Sequence, residues 1–200
     1  MRYVVPTGAG RPPITVLTTG RPPAGAGPRR AAEIAQSRAL LRDLVRTVLG
    51  PGAARRVIAP AGQRPHLPGT RCGLSLAHTD RHLAAAVWPA GPVGVDIQEP
   101  PARLDPRLVR RCCGRPAGER EFCAVWTVQE AYAKATGLGM RSAFWQLPVS
   151  PEGDRGELGE VRWARLAHPV AALAVAWTDR HGVDPGRDSP AGPARTSSPC

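Results

Sequence analysis

The chain's 200 residues are 42% hydrophobic and 22% charged, which suits one globular domain or two small lobes sharing a core and excludes a wholly disordered chain. No apolar run approaches the roughly 18 residues of a membrane span, and the start MRYVVPTGAGRPP has no apolar signal core, so a cytoplasmic protein with no membrane partner is expected. The net charge of +11 is concentrated in residues 1–78, where 12 Arg face only Glu33 and Asp43; this favours an anionic partner, although an Ala/Arg/Gly/Pro-rich composition would supply arginine without one.

Within residues 1–28 only Ile14–Leu17 reads as a strand, set among GRPP and AGAGP segments. From Arg29 a helix is expected: Ile34, Leu41, Leu44, Val45 and Val48 recur at helical spacing until Gly50-Pro51 stops it. On another face Arg38, Arg42 and Arg46 stand four apart in one row, which fits a solvated face or, more sharply, a phosphate-binding one. After a Pro/Gly-rich passage come CGLSLAHT and two short apolar runs, Leu83–Trp88 and Val93–Ile97, separated by PAGP; the pattern predicts two strands joined by a tight turn. Asp96 falls within the second run, beside Val95 and Ile97. A carboxylate there is costly if buried and unpaired, which points to a ligand or hydrogen-bonded residue at the edge of a cleft.

Arg103–Arg111 reads as a short helix and Glu119–Thr136 as a longer one ended by Gly137. On the longer helix Trp126, Glu130 and Lys134 follow at four-residue intervals, and Lys134 is the only lysine in the chain. VAALAVAW, within Trp163–Trp177, predicts a last strand, and the Pro, Gly, Ser and Arg beyond Asp179 predict a disordered tail. Cysteines 72, 112, 113, 123 and 200 form no CxxC pair and no zinc spacing, so reduced thiols are expected.

VGVDI followed by WTVQEAYAK resembles the paired signature of the 4′-phosphopantetheinyl transferases, of the monomeric type that activates surfactin synthetase. Gly94, Val95 and Asp96 match its first half; Trp126, Thr127, Glu130 and Lys134 match its second. Upstream, LSLAHT (Leu74–Thr79), QRP (Gln63–Pro65) and SRALLR (from Ser37) are similar to three further elements of the family. Five elements in order are far more specific than GVDI alone. The sequence departs from the pattern at Gln129, where the family has Lys, at Ser75 and Ala77, where it has Asn and Ser, and at Gln98, where a further carboxylate is common.

The resemblance implies an α/β (α+β) fold of two pseudo-twofold-related lobes, each a small antiparallel sheet with a long helix, and an active site between them. Residues 1–92 would form a basic lobe that binds the coenzyme A phosphates, residues 93–178 a lobe carrying the metal and catalytic residues, and residues 179–200 the tail. The implied activity is Mg²⁺-dependent transfer of the 4′-phosphopantetheine arm of coenzyme A to a serine of an acyl or peptidyl carrier protein, releasing 3′,5′-ADP, by a monomer. Asp96 and Glu130 would hold the metal and, with Lys134, act in catalysis. Arg38, Arg64, His78, Gln129 and Lys134 would bind coenzyme A. Glu99 is less suited as a third ligand, because neighbouring strand residues point to opposite faces. A second reading keeps the fold as a coenzyme A or carrier-protein binding module, with transfer weakened by Gln129, Ser75 and Ala77. A nucleic-acid binder ranks last: the chain carries no recognisable motif for one and only four Phe or Tyr.

Overall fold

Two long helices lie on two antiparallel four-stranded sheets in a computed structural model that describes residues 1–20, 29–60, 63–139 and 143–179. The first sheet takes β1 (Arg2–Val5), β2 (Ile14–Gly20), β3 (Gly73–His78) and β4 (His82–Trp88) in the order β1-β2-β4-β3. Helix α1 (Arg29–Leu49) covers its outer face, burying Leu41, Leu44 and Val45 against Leu74, Leu83, Ala85 and Val87. Gly50, at φ 88°, ends the helix in a conformation that costs a glycine little, and Pro51 opens the short helix α2 (Pro51–Arg55). Arg42 and Arg46 are exposed, with Arg46 paired to Asp43 at 2.6 Å, so that part of the arginine row is a solvated face.

The second sheet takes β5 (Val93–Gln98), β6 (Arg155–Leu158), β7 (Val161–Arg165) and β8 (Ala172–Thr178) in the order β5-β8-β7-β6. Helix α3 (Pro106–Cys113) begins where Asp105 accepts the N–H of Arg107 at 2.8 Å and ends at Gly114. Helix α4 (Glu119–Thr136) ends at Gly137, φ 75°, and packs Val125, Val128, Ala131 and Ala135 on Trp163, Ala174 and Ala176 of the second sheet. The sheets themselves meet through Ala77, Ala84, Ala86 and Trp88 on one side and Val93, Val95, Ile97 and Val175 on the other. The layers therefore run helix, sheet, sheet, helix. Among the described residues no helix is long and apolar enough to cross a membrane.

One expectation is overturned. Leu83–Trp88 and Val93–Ile97 are strands, but they do not pair. β4 already has β2 on one edge and β3 on the other, so its backbone groups are taken, and PAGP carries the chain across to the second sheet, where β5 pairs with β8. β1, β3, β6 and β7 have no counterpart among the strands expected from the sequence. The tail expected over residues 179–200 lies, apart from Asp179, outside the described residues.

Period-two alternation along β5 sends Val93, Val95 and Ile97 into the core between the sheets and leaves Gly94 and Asp96 facing α4. The helix lies so close there that a Cβ on residue 94 would stand 2.0 Å from Ala131 O and 2.8 Å from Lys134 Cβ. The obstacle is helix backbone, which cannot yield as a flexible side chain would. Gly94→Ala should therefore cost about 2–3 kcal/mol in denaturant unfolding, by forced separation of α4 from β5. An unchanged unfolding midpoint would show that the helix does not sit this close.

Candidate active site

Asp96 is 7% exposed and needs a partner for its charge. Lys134, on the last turn of α4, supplies it: Nζ donates to Asp96 Oδ1 at 2.7 Å and to Val95 O at 3.1 Å. Glu130, one turn earlier, brings Oε2 to 3.9 Å from the same Nζ. Two carboxylates thus converge on one ammonium. Burial pushes the Asp96 carboxyl above its ordinary value, against the opposing pull of Lys134, of the backbone N–H of Ile97 and of His78. Glu130 is also raised, by burial and then by the Asp96 charge, with Lys134 opposing. Both groups would bind a further cation more readily than separated surface carboxylates do.

His78 ends β3, is exposed, and lies near enough for its charge to favour ionised Asp96. Ser75, on the same strand, accepts the N–H of Val95 at 3.0 Å and so fastens the first sheet to β5. Arg64 reaches the same junction from the first sheet's side, where Nη2 donates to Val93 O at 3.1 Å and to Ala135 O at 3.5 Å, and burial lowers its pKa. The outer edge of β5 is thereby occupied by side chains rather than by another strand: Arg64 on Val93 O, Ser75 on Val95 N–H, Lys134 on Val95 O and Asp96 on Ile97 N–H.

Asp96, Glu130, Lys134 and His78 are brought together, with Arg64 beside them. Arg38 is half-buried on α1, and among the described residues no hydrogen bond or ion pair joins it to that group. Gln129 is a correction. Expected at the coenzyme A phosphates, it is fully buried on the far side of α4, where Nε2 donates to Cys112 O, Trp145 O and Leu147 O, each at 3.0 Å, and Oε1 has no partner. One residue's step along a helix turns a side chain by roughly 100°, which is why Gln129 and Glu130 face different surroundings. The Glu99 carboxylate is engaged by Thr79, Arg81 and His82. Those three residues and Ser75 were missed as site-builders; the only signal for them was their nearness to His78 in LSLAHTDRH.

Among the described residues no three His, Cys, Asp or Glu gather as a complete metal cage. Two hard carboxylate donors that approach one ammonium are nevertheless the protein share that Mg²⁺ takes when substrate oxygens and waters complete its shell. The cysteines among the described residues are poor nucleophiles: burial pushes the thiols of Cys72, Cys112 and Cys123 up to about 11 and raises that of Cys113.

Residues 92–177 match the family model of the 4′-phosphopantetheinyl transferase superfamily. The match begins just before β5 and ends within β8, so it contains Asp96, Gln129, Glu130 and Lys134, whereas His78, Arg64 and Arg38 precede it. No curated protein matches the chain.

The inward placement of Gln129 carries a prediction. Gln129→Leu takes the amide donor from Cys112 O and Trp145 O, whereas Leu147 O keeps the N–H of Val149 at 2.8 Å, and should destabilise the fold by about 2 kcal/mol. Equilibrium denaturation measures this, and a loss below about 0.5 kcal/mol, the scale of an ordinary surface substitution, would place the amide elsewhere.

Proposed function

We propose that the protein transfers the 4′-phosphopantetheine arm of coenzyme A to a serine of an acyl or peptidyl carrier protein, as the monomeric surfactin-synthetase-activating enzymes do. The observation that carries this reading is the convergence of Asp96, Glu130 and Lys134 on one point, inside the segment that matches the phosphopantetheinyl transferase superfamily. In the reaction the serine oxygen forms a bond to the pantetheine-side phosphorus, the bond from that phosphorus to the bridging oxygen breaks, and 3′,5′-ADP leaves with the electron pair.

Asp96 and Glu130 are the residues that would hold Mg²⁺. Bound there, the metal would supply charge neutralisation on the pyrophosphate oxygens. Lys134, half-exposed, can exchange its contact with Asp96 for one with a phosphate oxygen as a compact point charge, which arginine's planar fork does less readily. Glu130, or a water that it orients, accepts the serine proton. His78 donates to a coenzyme A phosphate from the facing sheet, and Arg64 and Arg38 serve the adenosine 3′-phosphate, Arg64 through the N–H groups that its backbone contacts leave over. The domain division follows the same logic: residues 1–92 supply phosphate contacts and residues 93–178 the carboxylates.

Incubation of the purified protein with coenzyme A, Mg²⁺ and an apo carrier protein should add one phosphopantetheine mass to the carrier. Asp96→Ala and Glu130→Ala should each lower that rate by about 10² or more while the far-UV spectrum stays that of the folded chain. Full activity in either variant sinks the two-carboxylate assignment. Coenzyme A binding with no mass gain across a panel of carriers would favour the binding module instead.

A further inference from the structure

Glu99 lies beyond the end of β5, outside the carboxylate pair, and its carboxylate meets the other sheet's β3–β4 connection. Oε1 accepts from Thr79 Oγ1 and from His82 Nδ1, each at 2.6 Å, and Oε2 from Arg81 Nε at 2.6 Å. Thr79 and Arg81 sit in the turn that joins β3 to β4, directly after His78, and His82 opens β4. Thr79 passes the grip to the main chain: while its hydroxyl donates to Glu99, it accepts the N–H groups of Arg81 and His82, at 3.2 and 2.9 Å. The carboxylate is itself well anchored, because Glu99 O accepts from Gln98 Nε2 at 2.9 Å and from Cys123 Sγ on α4 at 3.7 Å. His168, from the loop between β7 and β8, sets its ring edge-on to His82 at 5.1 Å and backs the turn from the second sheet. Burial of Glu99 favours the protonated form, but the hydrogen bonds from Thr79, His82 and Arg81 outweigh it and bring the pKa down to about 2. The grip is therefore closed at any working pH.

The turn is closed locally, by Thr79 N–H on His82 O at 2.8 Å and by the Thr79 hydroxyl on the N–H groups of Arg81 and His82, and the contact that ties it to the second sheet is the one from Glu99. We infer that Glu99 is a positioning residue: by clamping the Thr79–His82 turn to the second sheet, it holds the adjacent His78 toward Asp96 and fixes the imidazole for an anionic group of the substrate. His78's part in this rests on the functional reading above; the clamp does not.

A double-mutant cycle on coenzyme A binding, measured by calorimetry, tests it with the full chain. His78→Ala should weaken coenzyme A about tenfold in the wild-type background, the scale of one hydrogen bond to a charged group. In the Glu99→Gln background the same change should cost less than about twofold, because the imidazole is no longer held. Equal costs in both backgrounds overturn the inference. Arg81→Ala, which removes an exposed guanidinium from the same clamp, replaces Glu99→Gln in the cycle if that variant does not fold. Wild-type protein that binds no coenzyme A would fail the functional reading instead, and amide exchange then decides the clamp. Exchange at Arg81 and His82 should be about tenfold faster in Glu99→Gln, with the amides of β2 and of β4 from Leu83 onward unchanged. Unaltered exchange at those two amides overturns it.

Discussion

Lys134 reaches Asp96 only because nothing projects from β5 at residue 94. Every other feature of the candidate site depends on that close approach. With a side chain at 94 the helix would stand off, the ammonium would fall short, and Asp96 would be a buried carboxylate without a cation. The geometry also explains why a single lysine survives in a chain whose other basic residues are arginines. One small ammonium donates to Asp96 and to Val95 O and still faces Glu130, whereas a planar guanidinium would have to bring its fork into the narrow seam between β5 and α4.

An ion pair this deeply placed is weak evidence of stabilisation, since desolvation offsets much of the attraction. It is better evidence of function. Two carboxylates that both sit above their ordinary values, with only one ammonium between them, form a cluster held short of neutrality, and such clusters are concentrated where ions or phosphates bind. The rest of the junction keeps this cluster in shape. β5 presents an open edge to the first sheet, and Arg64, Ser75 and Lys134 fill it from three separate elements, while Glu99 returns the contact by gripping the turn after His78.

Much of this was legible in the sequence where local rules decide. α1 and α4 show their apolar periodicity and their glycine ends, and the four-residue spacing of Trp126, Glu130 and Lys134 puts the last two on one helical face. VGVDI shows a strand with a charge set into it. Pairing partners were not legible: PAGP has the composition of a hairpin turn, yet which edges are free depends on β2 and β8, distant in sequence. Gln129 was misplaced because a motif position was read as a site position, although its helical phase turns it toward Cys112, Trp145 and Leu147. The clamp was invisible because Glu99 and Arg81 belong to different sheets and no periodicity links them. β6 and β7 are short, with mixed burial, and alternation is too brief there to register.

The central claim is that Asp96, Glu130 and Lys134 behave as one coupled charge cluster. Side-chain carboxyl ¹³C NMR across a pH titration reads it most directly. The account predicts that both Asp96 and Glu130 titrate above their ordinary values, that Lys134→Met moves both further upward, and that Glu130→Gln lowers the Asp96 value. An Asp96 that titrates in the normal range and ignores substitution at both 130 and 134 would contradict it.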